Sequence, residues 1–207
     1  GLDESYDRHT EVVAAVRETI GPDVTLMVDV QYLWEDAETC LSVIRDWGDF
    51  DCYFLETPIW PDNLEDYAKV AAAAPMPIAS GEWLATRHEF FELMERGRIQ
   101  VAQPDVGRVG GLSEARIVCD MARERDMTVV PHCWKTGVSI SATAHLAFAT
   151  PHCAFIEYLP PQLCVETLRK ELVAEEIEFV DGTVRRPVRP GLGVELNWEA
   201  VKAYKVA

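Results

Sequence analysis

Positive charge is scarce in this chain: 19 Lys and Arg stand against 35 Asp and Glu, a net charge of −16. Such a balance repels a phosphate backbone instead of neutralising it, which argues against nucleic acid as a partner. Long apolar runs are lacking too. No uncharged apolar stretch reaches the roughly 20 residues that a membrane span requires. The opening Gly-Leu-Asp-Glu-Ser-Tyr-Asp-Arg is neither basic nor followed by a signal-peptide core. The protein is expected in the cytoplasm, away from membranes. The six cysteines, Cys40, Cys52, Cys119, Cys133, Cys153 and Cys164, form no Cys-x-x-Cys pair and sit mostly inside apolar runs. Free thiols are therefore expected, with neither disulfides nor a zinc site. Phosphate-binding Gly-x-Gly-x-x-Gly and Gly-x-x-x-x-Gly-Lys-Ser/Thr signatures are also missing.

What is present is an ordinary globular composition, 48% hydrophobic and 26% charged, arranged with a rhythm. A short apolar run, a polar turn and a helical pattern recur along the chain. The runs lie at 24–30 (VTLMVDV), 52–58 (CYFLETP), 77–82 (PIASGE), 101–106 (VAQPDV), 128–134 (TVVPHCW) and 154–160 (AFIEYLP). Helical patterns fall near 8–20, 36–47, 63–74, 86–97, 112–126 and 138–149, with Asp62 or Asn63, Thr86 and Ser139 as capping candidates. Alternating strands and helices predict parallel pairing through right-handed crossovers, and continuous apolar strands predict burial on both faces. The fold class is thus α/β. Because polar residues collect at the C-terminal tips of the strands, where barrel active sites are built, a (β/α)8 TIM-type barrel is preferred over an open sheet.

The tip residues are Asp29, Glu56, Glu82, Asp105, His132 and Glu157, spaced by 27, 26, 23, 27 and 25 residues, one βα unit each time. One carboxylate at a strand end most often caps a helix or lies solvated in a turn. The ordered set overturns that reading. Three carboxylates on consecutive tips would repel one another unless protonated or bridged by a cation, and all-oxygen ligation suits Mg²⁺ better than Zn²⁺. Asp105 is placed to hydrogen-bond one nitrogen of His132, fixing its tautomer and leaving the other nitrogen for a substrate. Glu157, if protonated, is placed to hydrogen-bond an anionic oxygen of an intermediate.

In MVDV, LETP, SGEW, QPDVGRVGG, VVPHCW and FIEYLP, the chain resembles the enolase superfamily, and within it the mandelate racemase group. The resemblance runs from the helix before Asp29 to the terminal RPGLGVELN segment. It implies Asp29, Glu56 and Glu82 as Mg²⁺ ligands, Asp105 and His132 as a catalytic dyad, and Glu157 as the hydrogen-bonding partner of an enediolate. It also implies elements this chain does not carry: two earlier barrel strands, the second often ending in a lysine base, and an N-terminal capping domain. About six βα units are then expected over 1–165, with 166–207 a C-terminal segment packing on barrel and cap. Only five lysines occur, and none stands on a tip.

The activity implied is Mg²⁺-dependent abstraction of the proton next to a carboxylate. Dehydration of a sugar acid to a 2-keto-3-deoxy acid is the leading expectation, and racemisation or epimerisation of a 2-hydroxy acid the second. A non-catalytic metal-binding scaffold is a third, from a different class. Expected partners are a small-molecule carboxylate and further copies of the chain in a homo-oligomer. Arg108 and Lys135, just beyond tips, are read either as substrate-binding or as surface salt bridges. Trp83 and Trp134, with Trp34 and Trp60, either wall a pocket or pack in loops. Gly107, Gly110 and Gly111 are read as permitting a tight turn. His9, His88, His145 and His152 are read as structural, with His88 and His145 in helices and His9 and His152 near turns.

Overall fold

The computed structural model describes residues 6–206, so the N-terminal stretch 1–5 read for a targeting signal lies outside the described residues. No described helix is long and apolar enough to cross a membrane. Residues group into two compact units, Gly1–Gly81 with His88–Ala102, and Glu82–Arg87 with Gln103–Ala207.

The first unit carries the βα rhythm. In chain order it holds α1 (Tyr6–Ile20), β1 (Leu26–Asp29), α2 (Ala37–Ile44), β2 (Cys52–Glu56), α3 (Leu64–Ala73), β3 (Ile78–Ser80), most of α4 (Arg87–Glu92) and β4 (Val101–Ala102). The strands pair in parallel in sequence order, with Asp29 opposite Glu56, Glu56 opposite Ala79, and Ala79 opposite Val101. Leu55, Ile78 and Ala79 of the strands and Ile44, Val70 and Phe90 of the helices are fully buried. The helix expected at 36–47 tightens after Ile44 into a 3₁₀ turn, Arg45–Phe50, and α4 widens into a π-helical turn, Leu93–Gly97. Asn63 caps α3 by accepting the Asp66 N–H at 3.2 Å. Arg17 pins α1 from the side, donating to the carbonyls of Phe50 (2.7 Å), Val24 (2.8 Å) and Asp51 (3.0 Å).

The second unit holds α5 (Leu112–Arg123), β5 (Thr128–Val129), α6 (Gly137–Phe148), α7 (Thr167–Glu171), the hairpin β6 (Phe179–Val180) with β7 (Thr183–Val184), and α8 (Trp198–Ala203). Cys133, Ile140, Ala144 and Ile177 form a buried cluster, against which Ile156, Tyr158, Val184 and Val194 pack. Gly110 and Gly111, at φ 102° and 91°, turn the chain into α5 through the left-handed region, as a turn there requires.

Four local expectations are corrected. The strands at 101–106 and 128–134 stop after two residues, because Pro104 and Pro131 follow closely and lack an N–H for the ladder. The run 154–160 makes no ladder: Glu157 N–H reaches the Pro131 carbonyl at 3.4 Å, but Pro131 has no donor to return. Ser139 lies inside α6, which begins at Gly137. His9 is buried within α1 and not near a turn.

Candidate active site

Asp29 and Glu56 end β1 and β2 as register partners on adjacent strands. Parallel pairing carries both carboxylates to the same end of the sheet. Asp29 Oδ1 accepts the Gln31 N–H at 2.9 Å and the Thr57 hydroxyl at 2.8 Å. Three non-glycine residues beside these contacts, Gln31 (φ 48°), Tyr32 (φ 60°) and Thr57 (φ 46°), adopt left-handed backbone. Strain of this kind persists where surrounding contacts over-determine it, commonly at functional sites. Tyr32 and Trp60 stack at 4.3 Å just beyond these tips. Trp34, by contrast, is buried edge-on against Trp47 in the core and walls no opening.

The second unit gathers the other four tip residues, three carboxylates around the imidazole of His132. His132 Nδ1 lies 2.8 Å from Asp105 Oδ2, and both groups are buried. His132 Nε2 lies 3.3 Å from Glu82 and 3.7 Å from Glu157. That same Glu157 oxygen, Oε2, accepts the Cys133 N–H at 2.6 Å. Ile156 and Tyr158 line a cavity of about 380 Å³ with Phe148, Phe155 and Phe179, while Glu157 lies 3.7 Å from His132.

Electrostatics follow from this packing. Burial works against charging His132, but the hydrogen bond to Asp105 and the fields of Glu157, Glu82 and Asp105 outweigh it and raise its basicity. Burial would raise the Asp105 carboxyl, yet donors from His132 and Lys135 hold it below the ordinary carboxylate value. Asp105 is therefore an anion that orients His132. The neighbouring Cys133 thiol is pushed up to about 11 by burial and is no nucleophile. All six cysteines are free.

The candidate substrate contacts prove to be engaged within the protein. Arg108 lies 3.8 Å over the Trp83 ring and donates to the Glu82 carbonyl at 3.0 Å, bolting the loop after β4 to the one after β3. Lys135 contacts both Asp105 oxygens, at 3.0 and 2.9 Å. Trp83 and Trp134 are both more than half exposed, at 53% and 58%. Sequence reasoning missed Thr57, whose only signal is its place directly after Glu56.

The donor chemistry of Asp29, Glu56 and Glu82 is hard oxygen and fits a divalent ion such as Mg²⁺. Asp29 keeps Oδ2 clear of the two donors on Oδ1. Among the described residues no group of three or more His, Cys, Asp or Glu side chains is gathered as a metal cluster.

Against known proteins, the profile of a family described as Enolase C-terminal domain-like matches residues 2–201. The D-galactarolactone cycloisomerase of Agrobacterium fabrum is 34% identical over 200 residues, covering 94% of this chain and 53% of that protein. The arabinonate dehydratase of Saccharolobus solfataricus is 32% identical, covering 98% and 53%. In three dimensions, the crystal structure of the 3,6-anhydro-D-galactonate cycloisomerase from Zobellia galactanivorans overlays with a TM-score of 0.89 at 27% identity, covering 97% of this chain and 56% of that one. The chain thus spans about half the length of the curated relatives it matches.

Proposed function

This chain belongs to the Enolase C-terminal domain-like family and has an α/β fold with parallel strands, and from that premise we propose that its protein is an Mg²⁺-dependent sugar-acid dehydratase. The observation that carries the reading is the set Asp105, His132, Glu82 and Glu157 around one imidazole, with Nδ1 anchored at 2.8 Å and Nε2 directed at two carboxylates.

Proton removal from carbon next to a carboxylate fails in water because the product carries two adjacent negative charges. Asp29, Glu56 and Glu82 would hold Mg²⁺, which supplies the positive charge that offsets this cost. His132, with its tautomer fixed by Asp105, presents Nε2 for proton transfer. After the α-proton is gone, the same nitrogen can return a proton to a departing β-hydroxyl, which leaves as water and gives a 2-keto-3-deoxy acid. On taking up a proton, Glu157 would donate a hydrogen bond to the enediolate oxygen. Its place at 3.7 Å from His132 supports a share in the same site. The cycloisomerase relative favours isomerisation as the second reading.

Screening the intact protein with Mg²⁺ against an acid-sugar library should give 2-keto acid for at least one member. His132→Asn should abolish exchange of the substrate α-proton with solvent deuterium. Product without loss of water would move the reading to isomerase. Absence of both turnover and exchange across the library would leave the non-catalytic scaffold standing.

A further inference from the structure

We propose that Lys135 is a positioning residue of the dyad: its ammonium, seated against the bare edge of Gly107, clamps the Asp105 carboxylate in the one orientation that serves His132. This rests on the reading of Asp105 and His132 given above, and it assigns Lys135 away from the substrate.

A carboxylate that meets only one imidazole can swivel about its terminal bond and offer either oxygen. Asp105 cannot. Its Oδ1 accepts the Gly107 N–H at 2.7 Å and Lys135 Nζ at 3.0 Å, while Oδ2 takes His132 Nδ1 at 2.8 Å and the same Nζ at 2.9 Å. Charge points the same way. The Asp105 side chain is only 2% exposed, and a buried carboxylate needs a compensating cation. Lys135 supplies it, with Nζ at 3.0 Å from Oδ1 and 2.9 Å from Oδ2. Arg108 does not replace it, since its Nε stands 4.0 Å from Asp105 and its guanidinium serves Glu82 and Trp83.

Gly107 completes the clamp by what it lacks. A Cβ at this position would lie 3.0 Å from Lys135 Nζ and 3.2 Å from Asp105 Oδ1, closer than ordinary van der Waals contact. Its backbone is not left-handed, so alanine is conformationally allowed. Gly107→Ala therefore crowds Lys135 Nζ and Asp105 Oδ1 without changing any charge, whereas Lys135→Met removes the charge.

The test uses the intact protein. The His132 Nδ1–H donated to Asp105 should give a downfield proton resonance, assigned by its loss in His132→Asn, with no substrate required. Lys135→Met and Gly107→Ala should both shift or broaden it, and Lys135→Arg should restore it in part. On a substrate found by screening, Lys135→Met should lower kcat about 10- to 100-fold with KM within about twofold. A resonance unmoved in both variants, or a raised KM with kcat intact, would overturn the proposal. Failure of the dehydratase reading would show separately, as absent turnover in the native protein while the resonance still responds.

Discussion

A carboxylate as buried as Asp105 stabilises the fold only while ionised, and its partners decide how far acid must go to undo that. Lys135 and His132 hold it below the ordinary value against the opposing effect of burial. A depressed folded value places the stabilisation above the unfolded value, near pH 4, and removes it as pH falls through the lower folded value. Asp105→Asn should accordingly cost about 3 kcal/mol at pH 7, as expected for breaking a buried ion pair. That gap should begin to narrow below about pH 4. Urea unfolding of both proteins at pH 7 and pH 3 measures it, and an equal gap at the two pH values contradicts the account. At this scale the sequence was legible where chemistry repeats: one polar residue per βα unit picked out Asp105, His132 and their neighbours. Thr57 was not separable from ordinary loop residues, and Lys135, singled out beyond its tip, could not be given its partner, because what decides both is the direction of a hydroxyl and an ammonium. No periodicity encodes that direction.

Elements were legible where propensity and pattern agreed, and illegible where a proline or a local bond intervened. The helices at 63–74 and 112–126 are found within a few residues of expectation, and Asn63 caps as its side chain suggests. Pro104 and Pro131 shorten β4 and β5 through missing donors, a cost that apolar periodicity does not register. The contact joining α2 to α3 was invisible as well. Asp66, in the first turn of α3, accepts the N–H of Ala37 at the start of α2 at 3.1 Å, 29 residues away in sequence. That N–H belongs to the unsatisfied first turn of α2, and Asp66 is its buried partner. Asp66→Ala should cost about 1 to 2 kcal/mol, or roughly 2 to 8 °C of melting temperature for a chain of this size. Its other partner, Lys69, has a side chain 65% exposed. Lys69→Ala should cost well under 1 kcal/mol, because water screens the pair. Calorimetry on the two variants separates a helix-joining acceptor from a surface ion pair, and equal losses would refute the distinction.

At the scale of the whole molecule, edges and charge set how the chain behaves by itself. Closing a barrel takes eight strands, whereas the βα rhythm among the described residues yields five, β1 to β5. Within its sheet β1 pairs with β2, and among the described residues no strand is paired on its other side. Such an edge offers unpaired backbone to a second molecule. Apolar side chains add to it: Leu163, Val165 and Val188 are 76%, 83% and 84% exposed. Burying three side chains of this size yields about 1.5 to 3 kcal/mol each. The opposing force is the net charge of −16. Its reach is the Debye length, about 8 Å at 0.15 M salt and about 30 Å at 0.01 M, while edge pairing and apolar contact act at closest approach and are unaffected by screening. Residues 1–207 expressed alone should therefore stay dispersed longest at low salt and self-associate as salt is added. Light scattering across that salt range would read a rising mass above the 23.3 kDa of one chain. A monomer at every salt concentration, unfolding in one cooperative transition, would mean that β1 and the exposed C-terminal residues are covered within the chain itself.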